Sequence, residues 1–133
     1  MEVILAKSAG FCFGVRRAVN EVYRCLEEEK DKTTYTFGPI IHNDEGVNDL
    51  KNKVGQVVDT LEALAALKKG IVIIRSHGVG RDTETKMREL GMRVIDMTCP
   101  FVKKIHRLVE EKSKEGYQIV IAGNPVHPEV VGI

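Results

Sequence analysis

Tryptophan is absent from this 133-residue chain, and aromatic residues make up only 5% of it. Basic and acidic residues almost balance, so the formal net charge is only +1. Proteins that bind nucleic acids usually cluster basic residues on one surface and often stack aromatic side chains on bases. The composition therefore argues against a nucleic-acid partner.

Long apolar runs are also missing. No stretch approaches the ~20 apolar residues that a helix needs to cross a membrane, and the N-terminus lacks the segments of a secretory signal. The three cysteines are too few for the disulfide framework of a small secreted domain. We predict a cytoplasmic protein without membrane contact, whose cysteines serve metal binding or catalysis.

What the chain does contain is a regular alternation of strand and helix patterns. Strands are predicted at 3–7, 33–37, 56–58, 71–74, 94–97 and 117–122, with helices at 13–29, 43–53, 61–67, 82–90 and 100–115. The run Ile71-Val72-Ile73-Ile74 contains no polar residue, which is typical of a strand buried on both faces of a parallel sheet. This alternation predicts an α/β fold, a mainly parallel sheet with helices on both faces.

Two of the three cysteines occur in similar local sequences. Cys99 follows a predicted strand, and Pro100 suits the first position of a helix. Around Cys12, as around Cys99, a valine follows three residues later and a basic pair comes next. A cysteine at a helix N-terminus is favoured as the thiolate, the form that binds metals or attacks electrophiles, although a buried structural cysteine is the alternative. Cys25 lies on an apolar helix face and is predicted to be part of the core.

Most residues whose side chains could bind a metal, bind an anion or donate a proton follow the ends of predicted strands. Ligands of open parallel sheets bind outside the carboxyl ends of the strands. The residues predicted at this edge are Cys12, His42, His77, Cys99, His127 and Glu129. His106 falls inside a helix instead, and we predict that it lies on the surface or in the core, away from the edge.

Several chemistries fit such an edge. Two thiolates and two histidines could bind zinc, and two thiolates with a ligand from elsewhere could hold an iron–sulfur cluster. Histidines at helix N-termini suit an anion such as phosphate, and Glu129 is a carboxyl group that could donate a proton beside it. The alternatives to an iron–sulfur enzyme are a zinc or dithiol redox module and a non-catalytic phosphate-binding domain.

Five short motifs in a fixed order carry a family resemblance that covers nearly the whole chain. They are Ala9-Gly10-Phe11-Cys12-Phe13-Gly14-Val15, Gly38-Pro39-Ile40-Ile41-His42-Asn43, Ser76-His77-Gly78, Asp96-Met97-Thr98-Cys99-Pro100 and His127-Pro128-Glu129-Val130. The sequence resembles the 4-hydroxy-3-methylbut-2-enyl diphosphate reductase family. Each motif is weak alone, but together the five are specific.

The resemblance implies an iron–sulfur oxidoreductase with three pseudo-symmetric α/β domains around a central [4Fe-4S] cluster. Cys12 and Cys99 would be two of the three cysteine ligands, and His42, His77 and His127 would bind the substrate diphosphate. Glu129 would relay protons to the allylic hydroxyl group. Two electrons from ferredoxin or flavodoxin, delivered singly, would remove that hydroxyl as water. The products would be isopentenyl and dimethylallyl diphosphate of the non-mevalonate isoprenoid pathway.

The sequence departs from the family because the third cysteine ligand would lie downstream of residue 133. The resemblance therefore implies the N-terminal part of a longer enzyme, inactive by itself. Residues 1–12 would form an N-terminal strand and the first cluster-ligand turn. Residues 13–98 would form the first α/β domain, and residues 99–133 would begin the second.

Overall fold

The computed structural model describes residues 2–41 and 53–133. His42, and all but the last residue of the helix predicted at 43–53, lie outside the described residues. The described part contains four strands and five helices that we number in chain order. The strands are β1 (Thr34–Phe37), β2 (Gln56–Val58), β3 (Ile71–Ile74) and β4 (Arg93–Asp96); the helices are α1 (Phe13–Glu28), α2 (Leu61–Ala65), α3 (Arg81–Glu89), α4 (Pro100–Lys114) and α5 (Pro128–Gly132).

The four strands form one parallel sheet in the order β2-β1-β3-β4. Thr36 pairs with Val57 on one side and with Ile73 on the other, and Ile73 pairs with Ile95. The neighbouring parallel strands β3 and β4 need a crossover connection, and helix α3 provides it. Helix α2 lies between β2 and β3 in the sequence. The predicted α/β fold with a parallel sheet is confirmed. Among the described helices, none has both the length and the apolar character needed to cross a membrane.

Strand β3 is the centre of the core, as its apolar run predicts. All four of its side chains are at most 1% exposed. Ile71 and Ile73 pack with α1 residues on one face, whereas Val72 and Ile74 pack with α2 and α3 residues on the other. Cys25 is fully buried in the first of these two clusters, which confirms its predicted place in the core.

Two predicted strands, at 3–7 and 117–122, are wrong. Both segments are irregular in the structure, and Ile4 and Val120 are 83% and 85% exposed. A strand needs a neighbour that takes up its backbone hydrogen bonds and covers its apolar side chains. Within the described part of the chain, neither segment has such a neighbour.

The burial of β3 predicts a large loss of stability when a charge is placed in it. Ile73→Asp is expected to lower the free energy of unfolding by about 3 kcal/mol or more, because the carboxylate would be buried without a partner. Ile73→Val, which only removes a methylene group, should cost about 0.5–1.5 kcal/mol. Urea unfolding of both variants measures the difference, and similar midpoints would contradict a solvent-free Ile73.

Candidate functional site

Both candidate cysteines directly precede a helix, as the repeated local pattern predicts. Cys12 is the N-cap residue of α1, and Cys99 is the N-cap residue of α4, with Pro100 in the first turn. Cys12 has an extended backbone, and neither cysteine makes a side-chain capping hydrogen bond. Each sulfur atom is therefore left available to a ligand, and each lies at the positive end of a helix dipole.

A cavity of about 480 Å³ brings the predicted edge residues together. Four of the six predicted site residues line it, namely Cys12, His77, Cys99 and Glu129. The other lining residues are Phe11, Gly14, Val15, Ile40, Ile41, Ser76 and Val102. The cavity thus combines two thiols, an imidazole and a carboxyl group with a largely apolar wall.

The turns that carry His77 and Cys99 are held against each other by backbone contacts. The Cys99 amide N–H donates to the Ser76 carbonyl oxygen at 2.9 Å. Gly78 has a φ of +78°, and a Cβ at this position would lie 2.8 Å from Thr98 Cγ2. Because both the backbone conformation and the close approach require glycine, Gly78 allows the two turns to meet.

Two histidines lie side by side at the same edge. The rings of His77 and His127 are 5.7 Å apart between centroids and are inclined at 75°. His127 is the N-cap residue of α5, and its Nδ1 accepts a hydrogen bond from the Glu129 amide at 3.3 Å. A neutral imidazole that accepts at Nδ1 carries its proton on Nε2. His127 can therefore donate an N–H to an anion while α5 holds Glu129 beside it.

The third cysteine does not belong to this edge. Burial, with the nearby Glu21 carboxylate as a smaller cause, raises the pKa of the Cys25 thiol. By contrast, Cys12 is exposed and Cys99 is partly exposed. The structure therefore separates a buried core cysteine from two cysteines that a ligand can reach.

The prediction for His106 is only partly right. Its ring is partly buried, as for a core residue, but it is not remote from the site, because its Cε1 lies 3.4 Å from the position of a Cβ on Gly78. Its buried Nε2 has no hydrogen-bond partner among the described residues. The helical spacing from Val102, which is buried four residues earlier, could have indicated this inward position.

The described residues alone do not form a complete metal site. No group of three or more histidine, cysteine, aspartate or glutamate side chains within 2–41 and 53–133 is arranged to hold a metal ion. The zinc site of two cysteines and two histidines considered from the sequence is therefore not formed by these residues alone. Cys12 and Cys99 place two thiol groups at the wall of a cavity of about 480 Å³.

The family model of the LytB protein matches residues 3–133. The chain belongs to the LytB family. This match confirms the family resemblance that the five motifs indicate, and it covers all the candidate residues.

Curated LytB relatives match along almost the whole chain. The 4-hydroxy-3-methylbut-2-enyl diphosphate reductase of Caldanaerobacter subterraneus subsp. tengcongensis is 47% identical over 133 residues, which are 100% of this chain and 46% of the relative. The enzyme of the same name from Aquifex aeolicus is also 47% identical, over 99% of this chain and 44% of its own length. The chain thus spans less than half the length of these relatives.

Solved structures of the family share the fold. A structure of (E)-4-hydroxy-3-methyl-but-2-enyl diphosphate reductase, described as the terminal enzyme of the non-mevalonate pathway, superposes with a TM-score of 0.81 at 46% identity. The superposition covers 98% of this chain and 45% of that structure. The E-1-hydroxy-2-methyl-but-2-enyl-4-diphosphate reductase of Plasmodium falciparum gives a TM-score of 0.83 at 32% identity, covering 95% of this chain and 39% of that structure.

Proposed function

We propose that this LytB chain is the N-terminal part of a reductase that converts 4-hydroxy-3-methylbut-2-enyl diphosphate to isopentenyl and dimethylallyl diphosphate. The observation that carries the proposal is the single cavity that Cys12, Cys99, His77 and Glu129 share. A reductive dehydroxylation needs an electron source, an anion site and a proton donor in one place. Thiols that can hold a redox centre, histidines and a carboxyl group supply these three needs.

The residues of the cavity fit a [4Fe-4S] cluster. Cys12 and Cys99 would supply two thiolate ligands, each at a helix N-terminus, and the third cysteine would come from a part of the protein beyond this chain. Gly14 leaves space beside Cys99, because a Cβ on Gly14 would lie 3.0 Å from the Cys99 sulfur. When bound, such a cluster would supply electrons to the substrate one at a time.

The histidines would hold the substrate by its diphosphate. N–H donors bind phosphate oxygens strongly because the acceptor is charged. His127 presents its Nε2–H, and His77 lies beside it with the rings 5.7 Å apart. His42 is the third proposed diphosphate ligand. If these histidines hold the diphosphate, the allylic hydroxyl at the other end of the substrate would be oriented toward the thiol side of the cavity.

Glu129 would supply a proton for the leaving hydroxyl group. In the overall reaction the allylic C–O bond breaks, and two electrons and two protons are consumed. One proton leaves with the hydroxyl as water, and the other is added to a carbon of the allyl group. The apolar side chains of Val15, Ile40, Ile41 and Val102 line the same cavity and would limit the access of bulk water.

The remaining parts of the proposal concern the whole protein. Ferredoxin or flavodoxin would deliver the electrons, and the enzyme would be cytoplasmic. Residues 13–98 would form the first of three pseudo-symmetric α/β domains, after the turn at 1–12, and residues 99–133 would begin the second.

Turnover by the full-length protein tests the proposed function. Under anaerobic conditions, with a one-electron reductant and 4-hydroxy-3-methylbut-2-enyl diphosphate, we expect both isopentenyl and dimethylallyl diphosphate. Two electrons should be consumed for each product molecule. A colourless protein that binds the substrate without converting it would favour the phosphate-binding alternative, and a colourless protein that contains zinc would favour the zinc module.

The space beside Cys99 gives a prediction for Gly14. Gly14→Ala should leave α1 as stable as before or stabilise it by about 0.5–1 kcal/mol, because alanine is favoured within helices. The new methyl group would nevertheless push the Cys99 sulfur, which lies 3.0 Å from the Cβ position. We therefore expect less iron per chain in the full-length variant. Gly80→Ala is the control, because nothing lies within 4 Å of its Cβ position; equal iron contents would contradict the prediction.

A further inference from the structure

We infer that Asp96, Thr98 and Lys103 act together as positioning residues that fix the Cys99 sulfur for its ligand. We call this set the turn clasp. The inference rests on the proposed function, because it treats Cys99 as a cluster ligand. It assigns a task to three residues that do not line the cavity shared by Cys12 and Cys99.

The first half of the turn clasp lies within the β4–α4 turn. One carboxylate oxygen of Asp96, Oδ1, accepts a hydrogen bond from the Thr98 backbone N–H at 2.9 Å. The same oxygen accepts a second hydrogen bond from the Thr98 hydroxyl group. Together these bonds fix the backbone between Asp96 and Thr98 and the rotamer of Thr98.

The second half ties the end of β4 to the first turn of α4. The other carboxylate oxygen of Asp96, Oδ2, pairs with Lys103 Nζ at 2.5 Å. The Asp96 side chain is 22% exposed and the Lys103 side chain 37%, so water screens this pair less than a fully exposed one. Burial raises the pKa of Asp96, but the hydrogen bonds from Lys103 and Thr98 outweigh it and hold the pKa below its usual range. The two carboxylate oxygens of Asp96 thus bind both partners at once, Oδ1 with Thr98 and Oδ2 with Lys103.

Cys99 lies between the residues that the turn clasp joins. Thr98 directly precedes it, is only 4% exposed and packs its methyl group against the Gly78 backbone. The Lys103 amide N–H donates to the Cys99 carbonyl oxygen at 2.9 Å. The Cys99 side chain makes no capping hydrogen bond, so the position of its sulfur depends on the backbone of the turn and on packing against α1 at Gly14. Residues that fix this backbone therefore also restrict the position of the Cys99 sulfur atom.

A cysteine that binds a redox centre needs neighbouring residues that hold it in position. A functional side chain must stay within about 0.5 Å of its productive position, and partners behind it usually provide that restraint. Cys12, by contrast, lies in an exposed segment. Cys99 is the better-buried of the two thiols, and it is the one that the turn clasp holds in place.

The first test measures iron loss from the full-length protein. Lys103→Met should accelerate iron release to a chelator about tenfold, as expected for the loss of a hydrogen bond to a charged group. Lys103→Arg keeps the charge and should restore a rate close to that of the wild type. Lys104→Met is the matched control, because Lys104 is the exposed neighbouring lysine on the same helix. Equal rates in Lys103→Met and Lys104→Met would overturn the inference.

The second test does not depend on a cluster. Hydrogen exchange of the Cys99 amide in the full-length protein should be faster in Lys103→Met and in Thr98→Val, which loses the hydroxyl group but keeps the shape. Thr98→Ser keeps the hydroxyl group and should exchange more slowly than Thr98→Val. In the Lys103→Met/Thr98→Val double variant, the acceleration of exchange should be smaller than the two single-variant effects combined, because both substitutions act through Asp96.

The two tests separate the inference from the proposed function. A wild-type protein without iron would contradict the proposed function, and the exchange of the Cys99 amide would then decide the inference alone. Normal exchange in both single variants would overturn the inference even if the wild type holds a cluster and turns over.

Discussion

Replacing Cys99 by serine in the full-length protein is expected to remove most of the bound iron and reduce turnover to the background rate. A serine hydroxyl is a poor substitute for the soft thiolate ligand that iron–sulfur clusters require. Cys12→Ser should have the same effect, because Cys12 lies at the N-terminus of α1 and lines the same cavity. Iron content and visible absorption, followed by the turnover assay, measure the loss.

The control for both variants is Cys25→Ala. Cys25 is fully buried among Ala18 and Val22, so alanine is compatible with its surroundings and leaves no unpaired polar group. This variant should bind iron and turn over as the wild type does, apart from a small loss of stability. Normal iron content in Cys99→Ser would show that Cys99 is not a ligand.

Glu129→Gln is expected to lower turnover at least ~100-fold while KM changes little, as is usual for the loss of a general acid. Glutamine keeps the size of the side chain and its place in the first turn of α5, but it cannot supply the proton. His127→Asn should behave differently. Because it removes a proposed diphosphate ligand, it should raise KM, and it should slow turnover only as far as the bound substrate is misplaced.

The control for Glu129→Gln is Glu111→Gln, an exposed glutamate on α4. His106→Asn would be a poor control, because His106 is partly buried against the Gly78 turn and its loss could move His77. Steady-state kinetics of the full-length variants distinguish the roles. Undiminished turnover in Glu129→Gln would remove its proposed role as the acid.

The sequence predicted most of the sheet because the relevant signals are local. Strand β3 carries an uninterrupted apolar run, and the structure buries it on both faces. Pro100 and Pro128 each mark the start of a helix, where the missing N–H costs nothing. Cys99 followed from a strand, turn and helix pattern, whereas Cys12 was placed by the start of α1 alone, because the strand predicted at 3–7 is wrong.

The strands predicted at 3–7 and 117–122 show the limit of such signals. An apolar, β-branched run favours a strand only where another strand or a covering layer is present. In the described part of the chain these segments have neither, and Leu5 and Val120 remain exposed. Sequence pattern alone cannot tell whether the partner of a strand is present.

Within the site, the sequence predicted residue types at the edge but not the contacts behind them. Four of the six candidates line one cavity, and His127 lies against His77, whereas His42 lies outside the described residues. The bonds that Asp96 makes to Thr98 and Lys103 were not predicted, because they depend on how β4 enters α4. The space beside Gly14 likewise exists only because α1 passes close to Cys99.

A crystal structure of the full-length protein, prepared anaerobically with substrate bound, tests the central claim most directly. Anomalous scattering would locate the iron, and the diphosphate would mark the anion site. We predict iron bonded to the sulfur atoms of Cys12 and Cys99, the diphosphate on His77 and His127, and Glu129 facing the allylic hydroxyl group. Iron bound away from these cysteines, or a diphosphate bound outside this cavity, would contradict the proposal that one site carries the reaction.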